Sequence, residues 1–169
     1  MVRLKSRYIL FEVLYPVSAN YSEEDVPFCS RREILLRHHQ VSPVDVSIKV
    51  LIQEIRRSLQ HNFGDYGCGK ATSLLQIKYF SNMTSTGILR CHREDSDLVI
   101  TALTLISKIG TIDNVIVNPV KVSGTIKKIE DYAGRRSEKL LSVIKRDDKR
   151  LIDDFTTVTE DNDEDTATT

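Results

Sequence analysis

The hydrophobic pattern changes period several times along the chain, and each change marks an element. Residues 7–15, RYILFEVLY, are rich in aromatic and β-branched side chains and predict a strand. Residues 16–41 carry Pro16, Asn20, Pro27 and a Ser-Glu-Glu-Asp run with little periodicity, which predicts a variable insertion. Inside it, Ser30-Arg31-Arg32-Glu33 has capping-box spacing and predicts a short helix through His39. Ser42-Pro43 reads as an N-cap followed by proline at the first helical position. Ile48, Leu51, Ile52, Ile55 and Leu59 then recur at helical spacing, with an end near Gly64 and a loop to about Ser73.

SLLQIKYF at residues 73–80 and GILRCHR at 87–93 read as two strands joined by the turn NMTSTG, hence a hairpin. Asp95, Ser96 and Asp97 place carboxylates where a helix leaves amides free, so a helix opens there. Its apolar run to Ile109 predicts deep burial, with Gly110 as the stop. NVIVNPVKV is a fourth strand, and Ser123-Gly124-Thr125 opens a basic helix with Ile126, Ile129, Ala133, Leu140 and Ile144 on one side. Gly134 weakens the middle of that helix. The core order βαββαβ is the split βαβ pattern of an α+β, ferredoxin-like (RNA-recognition-motif-like) sandwich: four antiparallel strands, helices on one face, and extra helices outside the repeat.

At 169 residues the chain suits one ordinary domain, and its 40% hydrophobic content suffices for a core without staples. No apolar run approaches the roughly 18–20 residues that span a bilayer, and a strand rather than a signal core follows the basic start. The expectation is a chain neither secreted nor membrane-bound. Cys29, Cys68 and Cys91 are an odd number without C-x-x-C spacing, which argues against a disulfide framework and fits a reducing compartment.

Charge changes the picture more. The total is neutral, but residues 1–146 hold 22 basic and 15 acidic side chains, a net of +7, and residues 147–169 hold 2 and 9, a net of −7. We read 1–146 as a single RNA-binding α/β domain with 16–41 as its insertion. The acidic tail, 147–169, has too little apolar content to order itself. A solvated surface with chance charge excess stands beside the polyanion reading.

Catalytic patterns do not assemble. Gly64-Asp-Tyr-Gly-Cys-Gly69-Lys70-Ala71 has the glycine and Gly-Lys spacing of a phosphate-binding loop, but Ala71 replaces the magnesium-holding hydroxyl and a helix precedes it where a strand should. Cys91 and His92 are neighbours on a strand and point to opposite faces. His38 and His39 diverge on a helix, and nothing in the spacing of His61 and His92 supports a two-histidine ribonuclease. Glu94, Asp95 and Asp97 are explained by helix capping more simply than by a metal. The third strand lacks the aromatic signature with which RNA-recognition motifs stack bases, so phosphate and shape recognition is expected over stacking.

The candidate RNA-binding residues fall into three groups: Arg3, Lys5 and Arg7 at the first strand; Arg90, His92 and Arg93 on the third; and Lys121, Ser123, Gly124, Thr125, Lys127 and Lys128 around the last helix start. The third group offers backbone amides at a helix N-terminus with lysines alongside, which suits a phosphate; ordinary capping by Thr125 is the alternative. Arg90 and His92 share a strand face, and Arg93 points the other way.

VRLKSRYILFE, SIKVLIQEIRRSLQHNFGDYG, LLQIKYFSNMTSTGILRCHRED and VIVNPVKVSGTIKKIE together resemble the small α/β protein subunit of eukaryotic and archaeal ribonuclease P (the Pop-five type), shared in eukaryotes with ribonuclease MRP. The likeness covers most of residues 2–130. It implies a ferredoxin-like fold and a non-catalytic subunit of a ribonucleoprotein whose RNA does the chemistry, on precursor tRNA leaders and precursor rRNA. It implies ribonuclease P RNA, MRP RNA and precursor tRNA as nucleic-acid partners, a larger α/β-barrel subunit beside it, and a nuclear and nucleolar location. No cofactor is expected on the chain itself; magnesium belongs to the RNA. A protein–protein adaptor with incidental basic charge, and more remotely a small-molecule-sensing domain, are the rival readings.

Overall fold

The computed structural model describes residues 5–16 and 30–160; over 146–160 the description is of the backbone. Arg3 and Cys29 therefore lie outside the described residues, as does half of the 16–41 insertion (17–29). The elements are β1 (Ser6–Leu14), α1 (Arg31–His38), α2 (Ile48–Thr72), β2 (Gln76–Ser81), β3 (Thr86–His92), α3 (Ser96–Thr104), β4 (Lys108–Ile109), β5 (Ile112–Asp113), β6 (Ile116–Ser123) and α4 (Ile126–Glu160). Two compact units divide the chain, Met1–Ala133 and Gly134–Thr169.

The main sheet has the order β2-β3-β1-β6 with every neighbouring pair antiparallel, the expected split βαβ topology. Alternation gives it two faces. Ile9, Phe11, Val13, Ile77, Leu89, Cys91 and Val117 point to an inner face, where they form one core with Leu51, Ile55 and Leu59 of α2 and Val99, Ala102 and Leu103 of α3. Leu10 and Ile88 point to the outer face and pack against Ile129 of α4. Helices therefore cover both faces, not one as the sequence pattern implied. Ile126, Ile129 and Ala133 needed an apolar surface, and the inner face was already filled by α2 and α3.

Helix boundaries depart from the sequence reading at four places. The Ser30 cap forms as expected, its hydroxyl accepting from Glu33 N at 3.2 Å. The Ser42-Pro43 start does not: α2 begins at Ile48, capped by Ser47. Ser42 is instead buried in a hydroxyl chain, in which Tyr15 donates to Ser42 (2.7 Å), Ser42 to Ser85 (2.8 Å) and Ser85 to the Gln40 carbonyl (2.6 Å). That chain, with Asn82 donating to the Pro43 and Val46 carbonyls, pins residues 40–47 to the β2–β3 turn.

Gly64 adopts φ 65°, ψ −172°, which is not helical, so the first helical segment of α2 ends there as expected; the expected loop to Ser73 is instead a second helical segment. The next residues re-enter the helix because Ala71 is fully buried there and Lys70 reaches Asp95. α3 stops at Thr104, not Ile109. Ile106 remains buried in the link after α3 and Ile109 on the β4–β5 hairpin, which turns at Gly110 with φ +58°. Finally, the backbone of α4 continues to Glu160, so the expected tail from 147 begins as helix; 161–169 lie outside the described residues. Among the described residues, no helix is long and apolar enough to cross a membrane.

Candidate nucleic-acid interface

Strand pairing brings the separate basic groups to one end of the sheet. Ser6 lies opposite His92, Arg7 opposite Cys91, and Tyr8 opposite Arg90 on one side and Ser123 on the other. Lys121 sits opposite Leu10, and the Arg93 amide donates to the Lys5 carbonyl at 3.0 Å. Partners directly opposite in an antiparallel pair stand about 4.5–5.5 Å apart. Lys5, Arg7, Arg90, His92, Arg93, Lys121 and Ser123 thus share one strand end, although up to 118 positions separate them in sequence.

β6 ends at Ser123, whose hydroxyl accepts from Thr125 N at 3.3 Å, and α4 begins at Ile126. Gly124, Thr125, Lys127 and Lys128 are exposed around that helix start. Arg7 completes it: a Cβ on Gly124 would lie 3.3 Å from Arg7 Nη1, so the guanidinium stands over the turn. Glycine admits this approach because it carries no Cβ. Lys127 and Lys128 sit in the first turn of α4, where no acidic residue stands. Cations at the positive end of a helix dipole each oppose folding by about 0.3–1 kcal/mol. An anion bound at that turn would reverse the sign.

Two of these placements were invisible in the sequence. The Arg7–Gly124 approach needs the β1–β6 register, and no local motif encodes it. Lys121 Nζ lies 5.5 Å from the centre of the Tyr132 ring, a cation–π contact that limits where the ammonium can go. Its signal would have been Tyr132 on the same side of the helix as Ile129.

Arg90 and His92 do share the outer face, with Ile88 between strand neighbours, while Arg93 lies beyond the strand end and is exposed. Arg90 Nε is buried and makes no hydrogen bond. Cys91, on the inner face, is fully buried. Its thiol is pushed up from 9.0 to about 11, mainly by burial, then by the charge of Asp95, with Arg7 pulling the other way. The folded thiol keeps its proton at pH values where the unfolded one has lost it. The unfolded state therefore gains as pH rises from about 9 through about 11, and stability falls over that window. Urea midpoints measured at pH 8 and pH 10.5 should drop further in the native chain than in Cys91→Ala, by an excess on the order of 1–2 kcal/mol. Equal drops would show that Cys91 does not titrate in the fold.

Asp95 also departs from expectation. It occupies the N-cap position of α3 but makes no side-chain cap bond. Its carboxylate turns inward, 2% exposed, and faces Lys70 Nζ at 3.5 Å. A buried carboxylate is held better by a cation than by a cap it would share with water. The same contact disposes of the glycine loop at 64–71, which is helical after the kink, with Lys70 engaged elsewhere than at a phosphate. Among the described residues, no group of three or more His, Cys, Asp or Glu side chains could hold a metal ion.

The described unit is thus an α+β sandwich with a cationic strand end fed by three strands and one helix start. Comparison with known proteins makes the placement specific. A model of the Rpp14/Pop5 family matches residues 7–134, and the chain belongs to that family. It is 60% identical over 169 residues to ribonuclease P/MRP protein subunit POP5 of Saccharomyces cerevisiae, covering 96% of each chain. It is 43% identical to the protein of that description from Schizosaccharomyces pombe, covering 82% of this chain and 89% of the relative. A probable subunit of that type from Arabidopsis thaliana is 32% identical, covering 79% and 77%. A chain in the cryo-EM structure of yeast ribonuclease MRP superposes with a TM-score of 0.43 at 8% identity, over 82% of this chain and 98% of that one.

Proposed function

We propose that this chain is a protein subunit of ribonuclease P and ribonuclease MRP that binds the catalytic RNA and performs no chemistry of its own. The single observation that carries the reading is the convergence of three sequence-distant basic groups on one strand end, beside a helix start whose lysines oppose the helix dipole. The family membership and the relatives' descriptions point the same way.

In this reading Arg7, Lys127 and Lys128 hold one phosphate at the Ser123-Gly124-Thr125 turn, at the positive end of the α4 dipole. Lys121, positioned by Tyr132, holds a neighbouring phosphate. Lys5, Arg90, His92 and Arg93 extend the track along the strand ends, with Arg3 continuing it in sequence. Neutralising several phosphates lets RNA segments approach that would otherwise repel, which stabilises the RNA core for removal of precursor-tRNA leaders and for precursor-rRNA processing. Magnesium belongs to the RNA, the larger α/β-barrel subunit is a protein partner, and the site of action is the nucleus and nucleolus.

The purified chain in magnesium should leave precursor tRNA intact while binding it with steep salt dependence. Specific cleavage that disappears in His92→Ala would overturn the non-catalytic reading. A second reading, a protein–protein adaptor, draws on Val44 and Met83, which are highly exposed on the pinned loop and turn at the far end of β1. RNA affinity that stays flat from low to moderate salt would favour it, since each phosphate contact contributes about 0.7–0.9 to the slope.

A further inference from the structure

Sequence alternation alone would turn Tyr79 into the core. β2 pairs Ile77 with Leu89 on the inner face, so Lys78 should point out and Tyr79 in. A bulge between Ile77 and Tyr79 shifts the register by one residue. Tyr79 now lies opposite Ile88 on the outer face. Phe80 takes the inward position opposite Gly87 and stacks on Phe11, ring centres 6.3 Å apart and planes 11° from parallel. The bulge thus exchanges one aromatic for another, half-burying the Phe against the core and leaving the Tyr ring 54% exposed.

The ring has polar company. Gln76, exposed, lies directly opposite Arg90 on the same face. Tyr79 opposes Ile88, two residues before Arg90, which sets Tyr79 and Arg90 on the diagonal, about 7–8 Å apart. Arg90 forms no ion pair or hydrogen bond among the described residues, and its Nε is buried without a partner. A half-buried guanidinium whose Nε has no partner costs the fold stability. An exposed flat ring, an amide and an unpaired guanidinium within one diagonal of a sheet are the groups that hold an unstacked base: a face to stack on, a donor and acceptor for a base edge, and a charge for the phosphate.

We infer that Gln76, Tyr79 and Arg90 form a site for one unpaired nucleotide of the RNA. The inference rests on the RNA-binding reading above and adds to it a base-stacking contact, where the third strand's lack of aromatics had pointed to phosphate and shape recognition alone. The ring comes from the edge strand β2, and a bulge aims it. Tyr79 supplies the stacking face, Gln76 the base-edge contact, and Arg90 the phosphate contact. Recognition is of single strands: a base inside a duplex presents no free face to Tyr79.

The test uses the full-length chain and two probes, single-stranded decauridylate and a blunt RNA duplex carrying equally many phosphates. Tyr79→Ala and Tyr79→Leu should each weaken decauridylate binding roughly 5- to 100-fold, the range seen when a base–aromatic stack is removed. Both should leave duplex binding within about twofold, because the phosphate contacts are untouched. Tyr79→Phe, which keeps the ring, should stay within about twofold on both probes. Arg90→Ala should lower the decauridylate salt slope by about 0.7, whereas the Tyr79 variants should not move it. Unchanged decauridylate affinity in Tyr79→Ala and Tyr79→Leu would overturn the inference and return the ring to a protein contact, with duplex binding showing that the RNA-binding reading survives. Equal losses on both probes would also overturn it. If the native chain binds neither probe, both readings fail together.

Discussion

Replacing Phe11 with alanine will destabilise the first unit by about 3–5 kcal/mol, the usual cost of emptying a fully buried aromatic site. Phe11 is 0% exposed at the middle of β1, the strand paired on both sides. It stacks on Phe80 and fills the space above Gly87, where an added Cβ would overlap the ring at Cζ. Because whole domains are stable by only about 5–15 kcal/mol, this one change should consume much of the total. Gly87→Ala should cost about 1–3 kcal/mol through overpacking against the same ring. The two sites are therefore coupled. In a Phe11→Leu background, Gly87→Ala should cost much less than it does alone, and urea midpoints of the four chains measure the coupling. Strict additivity would mean that the ring moves aside freely and that Gly87 is not required for its fit.

The largest functional effect should come from the helix start. The variant Arg7→Ala, Lys127→Ala, Lys128→Ala should lose roughly 10- to 100-fold in RNA affinity near physiological salt, and its salt slope should be shallower by about 0.7–0.9, the share of the one phosphate they hold. Stability gives the control that separates binding from damage. Lys127 and Lys128 are exposed and stand at the positive end of the α4 dipole, so removing those two alone should leave the melting temperature unchanged or slightly raised. Fluorescence titrations at several salt concentrations, with thermal melts of the same samples, read both quantities. An unchanged slope would make the lysines ordinary solvated side chains. A lower melting temperature of the Lys127→Ala, Lys128→Ala chain would mean that they support the helix.

Much of the fold was legible because its signals are local. RYILFEVLY, the hairpin around NMTSTG and the Ser30 cap each announce themselves within a few residues. Element order then fixes the strand arrangement by the split βαβ pattern. What was missed depends on residues distant in sequence. Ile106 and Ile109 keep helical spacing, which extends the helix pattern from Asp95 too far, because they are buried from the link after α3 and from a hairpin. Gly64 does stop a helical segment, but the loop expected after it is helical because Ala71 is buried there. Asp95 looked like a cap until Lys70, 25 positions earlier, drew its carboxylate inward.

The candidate site divides along the same line. Residue types and strand faces were readable for Arg90, His92 and the Ser123-Gly124-Thr125 turn. Their meeting with Arg7 was not, since it follows from the β1–β6 register and from a second bulge between Leu10 and Phe11. Tyr79 was hidden by its own bulge, which period-two counting cannot see.

The position of β1 bears on how the chain is made. It leaves the ribosome about 100 residues before one of its partners, β6, which spans Ile116–Ser123. At about 5–20 residues per second, roughly 5–20 s of synthesis separate the two. Throughout that interval Ile9, Phe11 and Val13 form an apolar strand with an unpaired edge, the kind of segment that joins other chains. Productive folding of the nascent protein thus depends on keeping that edge of β1 from other chains until β6 has emerged.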